Sequence, residues 1–315
     1  MLTSRNISSW VARYLSERRA LGFKESTAHY YLRNFARFME ARQEGTVPSL
    51  GLITDWACSP GRSRECHSRR FRQVCRFLKY VSVESPGLIV PPMDYLGPLY
   101  RRPVPYIFSD AQIADLLSAT HILTPKCGLR PQTYYTLFGL LACTGLRISE
   151  ALNLNAEDVD LESKSLFVAG TKGVCAERVL PITRSTADAL GHYLERRARH
   201  HTLRRSNALF LTQQRGNRLE YQWVMKTFLE LRKHLHWESV VPRPRIHSLR
   251  HTFAVKQLLR WSRVGNVQSH ILLLSQYMGH SGVESTYWYF TAVPALMRIA
   301  VRRLHRYATA FEDRP

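Results

Sequence analysis

Apolar side chains recur at helical spacing through the first quarter of the chain. Trp10, Tyr14, Leu15 and Leu21 form one stripe, and Tyr30, Leu32, Phe35, Phe38 and Met39 form a second. Gly22 lies between them as a stop signal, and Ser26 or Thr27 is placed to cap the next helix. A third amphipathic pattern runs from about Arg62 to Val83, with Phe71, Val74, Phe77 and Leu78 on its apolar face. The spacing therefore predicts helices across residues 8–84. The pattern then breaks: Pro86, Pro91, Pro92, Pro98, Pro103 and Pro105 fall close together with Gly87 and Gly97. Proline removes backbone donors and disfavours helix before it, so this stretch reads as a semi-extended linker.

Helical patterning resumes at Ser109-Asp110-Ala111-Gln112, which has capping-box spacing ahead of an apolar run. Helices are expected near 109–119, 132–144 and 148–153. Short strands follow at 159–161, 165–168 and 178–182, with Gly170-Thr171-Lys172-Gly173 as a turn. Helices return at about 185–200, 219–236, 248–262, 267–278, 282–289 and 292–310. This predicts two domains, the first helical and the second mostly helical with one small sheet.

Charge narrows the partners. Across 315 residues, 45 Lys and Arg stand against 24 Asp and Glu, a net charge of +21. A folded protein with that excess implies a polyanionic partner, and the predominance of Arg favours phosphate. The third helical pattern carries Arg62, Arg64, Arg69, Arg70, Arg72 and Arg76 opposite its apolar face, as a helix lying on DNA would. The six cysteines include no C-x-x-C pair, no apolar run reaches the ~18 residues of a membrane span, and the N-terminus lacks an apolar signal core. A cytoplasmic protein with reduced thiols is expected.

Three segments concentrate chemistry. Thr144-Gly145-Leu146-Arg147-Ile148-Ser149-Glu150 places an arginine just after a glycine break, at a helix start that offers free N–H groups to an anion. Glu150 is available to pair with a nearby base. His247-Ser248-Leu249-Arg250-His251 and Gly279-His280 through Tyr287-Trp288-Tyr289 add two histidines, an arginine and a tyrosine. Arginine and histidine bind phosphate, and a phenol can attack it. His247 and His251 have zinc-like spacing, but no Glu follows His247 and no third ligand is evident, so no metal and no cofactor is expected.

These segments, in this order and with Lys172 on the turn between two strands, resemble the tyrosine recombinase family of phage integrases and their relatives. The resemblance covers residues 105–310, and residues 1–95 look like that family's helical core-binding module. It implies a mainly α fold: a helical, SAM-like core-binding domain over 1–90, a linker over 91–106, and over 107–315 a mostly helical catalytic domain with a small antiparallel sheet. It implies that Tyr289 attacks a DNA phosphodiester to give a 3′-phosphotyrosyl bond, Arg147 and Arg250 stabilise the charge with His280 assisting, Lys172 protonates the departing 5′ oxygen, and His247 is the proton-transfer partner of the phenol. The spacing from His280 selects Tyr289 over Tyr287, and Lys164 is a weaker rival to Lys172. His251 reads as a packed residue.

The implied partners are duplex DNA with a specific recombination site, a homo-tetramer on that DNA, and accessory recombinases or bending proteins, with no membrane. A mobile element is the expected beneficiary. Two other readings stand beside this one: a type IB topoisomerase that relaxes DNA, and a catalytically silent DNA-binding regulator of the same fold. The stretch from Arg250 to His280 is longer than is usual in the family, and Val267, Ile271, Leu272, Leu273 and Leu274 within it point to packing or a partner contact.

Overall fold

The computed structural model describes residues 2–23, 26–61, 63–97, 104–170, 177–200, 206–264, 267–280, 282–292, 297–298 and 301. The chain is mainly helical, with one small antiparallel sheet, and divides into two compact units, Met1–Arg102 and Pro103–Pro315.

The first unit contains α1 (Ile7–Ala20), α2 (Ser26–Glu40), α3 (Leu50–Ala57) and α4 (Arg64–Val81). On α1 the buried stripe is Ile7, Val11, Tyr14 and Leu15. Leu21, expected in that stripe, lies past the helix end and is 74% exposed, because Gly22 follows with φ +83 and turns the chain away. On α2, Leu32, Phe35 and Met39 are buried as expected, whereas Tyr30 is exposed beside Tyr31. The sequence reading did not single out α3, which is short and is capped by Ser49, whose Oγ accepts from Leu52 N–H at 3.3 Å. On α4 the apolar face of Phe71, Val74, Phe77 and Leu78 is fully buried. Its basic face is less uniform than expected. Arg64, Arg69 and Arg76 are exposed, but Arg70 turns inward, with its guanidinium 4.1 Å from the Trp56 ring centroid and Nη1 donating to Ser59 Oγ at 2.7 Å. Arg62 lies outside the described residues.

The proline-rich stretch is divided between the two units. Leu88, Val90, Met93 and Leu96 pack against the first unit's core, Ser68 Oγ donates to Leu96 O at 2.9 Å, and Tyr95 stacks on Phe71. Phe108 is buried in the second unit, where its N–H donates to Thr252 Oγ1 at 2.9 Å. Only residues 98–103 of this stretch fall outside the description.

In the second unit α5 (Asp110–Ala119) opens with the expected capping box between Ser109 and Gln112. Next come α6 (Leu129–Thr144) and α7 (Ile148–Asn153), then β1 (Val159–Asp160), β2 (Ser165–Ala169) and β3 (Glu177–Pro181) in the antiparallel order β1-β2-β3. Leu166 pairs with Leu180 and Val168 with Arg178, so the inward face is apolar except at Arg178. The chain continues through α8 (Arg184–Arg199), α9 (Tyr221–His234), α10 (Ile246–Val264), α11 (Val267–Met278) and α12 (Glu284–Ala292). The helix expected over 292–310 lies mostly outside the described residues.

The central helix is α6. Tyr134, Leu137, Phe138, Leu140 and Leu141 are buried on several of its faces, as expected for a helix surrounded by protein. It packs against α5, α8 and α10. A second apolar cluster joins α10 to α11 and α12 through Phe253, Val255, Leu258, Ile271, Leu274, Met278 and Tyr289. The long stretch before His280 is thus used to extend two packed helices. Ile271 and Leu274 are buried, whereas Leu272 and Leu273 are 54% and 57% exposed.

Phe138 is fully buried and meets Phe228 of α9 edge-on at 5.9 Å. Phe138→Ala is expected to cost the second unit about 3–5 kcal/mol in denaturant unfolding. A loss below about 1 kcal/mol would remove α6 from the centre of the core.

Candidate active site

The site forms where two helices end. Helix α6 terminates at Gly145, in the left-handed region at φ +65, and α11 terminates at Met278 before Gly279 at φ +64. A side chain at Gly145 would overlap the Phe253 ring, and one at Gly279 would come within 2.8 Å of Arg178 Nη1, so both positions need glycine for space as well as for φ. The carbonyls at such helix ends lack intrahelical partners and carry partial negative charge. Three arginines fill that need.

Arg250 of α10 is 3% exposed and donates from Nη1 to Gly145 O at 2.7 Å and from Nη2 to Met278 O at 2.8 Å. Arg147, at the N-cap of α7, donates from Nη2 to Gly279 O at 2.6 Å. Arg178 of β3 donates from Nε to Tyr277 O at 3.1 Å. Glu150 lies among all three and is 2% exposed. Its carboxylate accepts from Arg147 N–H at 2.8 Å and from Arg147 Nη1 at 2.8 Å. It also accepts from Arg178 Nη1 and Nη2 at 3.2 and 2.9 Å, and lies 4.0 Å from Arg250 Nη1. The helix-start amide that the sequence offered to an external anion is therefore taken by Glu150. Arg178 was missed in the sequence; the only signal was an arginine in the inward register of an otherwise apolar strand face.

One carboxylate against three guanidiniums leaves a local excess of positive charge. Burial pushes the Glu150 pKa up, but hydrogen bonds and charge from Arg178 and Arg147 outweigh it, and the net shift is downward. Burial, then the charge of Arg147, lowers Arg250 to about 10, which leaves it charged at neutral pH. The hydrogen bonds to Gly145 and Met278 use two of the five N–H donors of Arg250.

The histidines and the tyrosine surround this cluster. His247 is one turn before His251 on α10, and their rings meet edge to face at 4.6 Å. His247 is exposed at the surface of the site. The protein around its ring, then the charges of Arg250 and Arg147, hold its pKa down at about 4, so it is neutral near pH 7. His280 is half-buried, with Nδ1 2.8 Å from Thr286 Oγ1 on α12. Tyr289 is 3% exposed, and its hydroxyl is 2.9 Å from Nδ1 of His251. The phenol thus has a hydrogen-bond partner in His251, expected only to be a packed residue. Tyr289 is near enough to Arg250 for an ionised phenol to act on the guanidinium. Tyr287, by contrast, is half exposed and neighbours Phe290.

The structure therefore brings Arg147, His247, Arg250, His280 and Tyr289 to one region. Lys172 lies outside the described residues, on the connection between β2 and β3; the strand that follows it carries Arg178 into the cluster. Its rival Lys164 sits in the β1–β2 turn at φ +52. Among the described residues no group of His, Cys, Asp and Glu is arranged as a metal-ligand set, and no helix is long and apolar enough to cross a membrane.

Glu150→Ala should cost about 3–5 kcal/mol of unfolding free energy, because it leaves buried guanidiniums without their counter-charge. Acid should also destabilise this unit. The folded pKa of His247 lies below its ordinary 6.5, so the unfolded chain binds the extra proton and stability falls as pH drops from about 6.5 towards 4. Glu150, whose folded pKa is below the ordinary 4.5, contributes stability above that pH and loses it as pH falls through the folded value. A thermal midpoint that rose on acidification from pH 6.5 to 4 would contradict the His247 shift.

The sequence profile of the phage integrase family matches residues 108–294. A Sinorhizobium fredii protein named as an integrase/recombinase, y4rB, is 37% identical over 311 residues, covering 96% of this chain and 98% of its own. Tyrosine recombinase XerC of Corynebacterium efficiens is 27% identical over 290 residues, covering 90% and 87%. Among solved structures, the Tn1549 transposon integrase in complex with transposon right-end DNA matches with a TM-score of 0.67 at 19% identity, covering 96% of this chain and 100% of that one. The XerH recombinase bound to a palindromic difH substrate also gives 0.67, at 16% identity, covering 99% and 86%. On the shared fold, the profile match and the full-length similarity, the chain belongs to the phage integrase family and is a site-specific tyrosine recombinase.

Proposed function

We propose that the protein cleaves and rejoins duplex DNA at a specific site through a 3′-phosphotyrosyl intermediate, and that it serves a mobile element. The observation that carries this reading is the buried Tyr289 hydroxyl, held 2.9 Å from His251 Nδ1 in the same region as the buried Arg250. A phosphodiester repels nucleophiles through its charge. Attack becomes feasible when donors are already aimed at the oxygens on which charge grows. Arg147 and Arg250 take that part, held in place by Glu150 and by helix-end carbonyls. His280, oriented by Thr286, adds a hydrogen bond. His247, neutral and open to solvent beside the arginines, is placed to meet the phosphate or pass a proton.

In the proposed reaction the Tyr289 oxygen bonds to phosphorus, the bond to the 5′ oxygen breaks, and that oxygen leaves with a proton from Lys172. One ester replaces another of similar energy, so the step needs no ATP, and no metal is assigned a role. The liberated 5′-hydroxyl of a second strand then reverses the chemistry. Exchange between two duplexes uses four such sites, which requires a tetramer on DNA, with residues 292–315 docking on a neighbouring protomer. The first unit binds the duplex through the exposed Arg64, Arg69 and Arg76 of α4. An integrating role is what the name integrase/recombinase of the y4rB relative supports.

A binding duplex is first selected from a randomised pool, and its scissile phosphate is mapped from the wild-type adduct. On that duplex, nicked beside the scissile phosphate, wild type should form a gel-stable covalent adduct in the presence of a chelator. Tyr289→Phe should form none, Tyr287→Phe should retain it, and Arg147→Ala should slow it ~10²-fold or more. Loss of the adduct in Tyr287→Phe alone would overturn the assignment of the nucleophile.

A further inference from the structure

The expected partner of the phenol is His247, yet His251 Nδ1 lies 2.9 Å from the Tyr289 oxygen. This contact is constrained from several sides. Tyr289 is buried in the cluster joining α10, α11 and α12. The His251 ring lies between His247, edge-on at 4.6 Å, and Trp288, tilted at 5.6 Å. The rings of His251 and Tyr289 stand edge to face at 5.6 Å, so the polar edge of the imidazole meets the hydroxyl. A phenol is a poor nucleophile while protonated, and its ordinary pKa is near 10. A base for it must lie within hydrogen-bond reach of the proton it removes.

Resting on the assignment of Tyr289 as nucleophile, we propose that His251 is a further catalytic residue, which orients the phenol and takes its proton as the tyrosyl oxygen bonds to phosphorus. The phenolic O–H bond breaks and its proton passes to Nδ1, while the 5′ oxygen departs with the proton that Lys172 supplies. As acceptor, Nδ1 needs the tautomer with the hydrogen on Nε2. Two adjacent turns of α10 then divide the work. His247 and Arg250 address the phosphate, and His251 addresses the nucleophile. Among the described residues, His247 on its own helix and Tyr289 and Trp288 on α12 face the new imidazolium.

The test is single-turnover adduct formation by the full chain on the mapped, nicked duplex. His251→Asn keeps a hydrogen-bonding atom near the Nδ1 position but accepts no proton, whereas His251→Phe removes both functions. Both variants should bind the duplex as wild type does and cleave it ~10²-fold or more slowly, with Asn the less impaired. A substrate with sulfur in place of the bridging 5′ oxygen has a leaving group that needs no acid. It should rescue Lys172→Ala and leave both His251 variants slow. Wild-type cleavage by His251→Asn, or rescue of that variant by the sulfur substrate, would overturn the proposal. Faster cleavage would also overturn it, by making His251 a restraint on the phenol. The nucleophile assignment fails separately, if Tyr289→Phe still forms the adduct.

Discussion

The structure of the second unit depends on one buried carboxylate. Glu150 is almost wholly removed from water, and it is bound by Arg147 and Arg178 and faced by Arg250. An isolated charge at that depth would cost several kcal/mol, and so would each buried guanidinium. The cost is offset because the charges are buried together and four further arginine hydrogen bonds end on the carbonyls of Gly145, Tyr277, Met278 and Gly279. Four stretches far apart in sequence are tied at this point: the α6–α7 junction, β3, α10 and the end of α11. Once they are tied, Arg147 and Arg250 are held in one geometry by contacts within the protein alone. That advance organisation is what electrostatic catalysis requires, since donors that must first reorganise lose much of their effect.

The apolar packing explains why these four stretches can meet. Helix α6 is surrounded by protein, so its C-terminus is delivered into the interior and not to the surface. Helix α10 packs along it, and α11 and α12 close over α10. Gly145 and Gly279 then allow two chain reversals so tight that a methyl group would collide with Phe253 in one case and Arg178 in the other. The stretch between Arg250 and His280 forms the rest of α10 and all of α11, whose Ile271 and Leu274 join the core.

Much of this was legible in the sequence, and the misses have physical reasons. The apolar stripe of α4, the Ser109 capping box and the bounds of α11 follow from local periodicity and caps, which tertiary structure did not override. Tyr289 was chosen over Tyr287 by the spacing from His280 that the family resemblance implies; the two point to nearly opposite sides of a helix, and Tyr289 is buried where Tyr287 is half exposed. Helix α3 was missed because eight mostly apolar residues give no clear stripe. Leu21 was placed in a stripe that the chain leaves at Gly22. The proline-rich stretch read as linker because proline excludes regular hydrogen bonding, which does not prevent Leu88 to Leu96 from packing. Arg178 and His251 were missed because their significance is set by partners 28 and 38 residues away in sequence, which no local pattern records.

The central claim is that Glu150 and the arginines act as one unit. A double-mutant cycle of Glu150→Gln with Arg178→Met, read by denaturant unfolding, measures their coupling directly. Coupling of about 1–3 kcal/mol is predicted, with the double variant less destabilised than the sum of the two singles. Additivity within about 0.3 kcal/mol would mean that the two residues contribute independently, and would contradict the account.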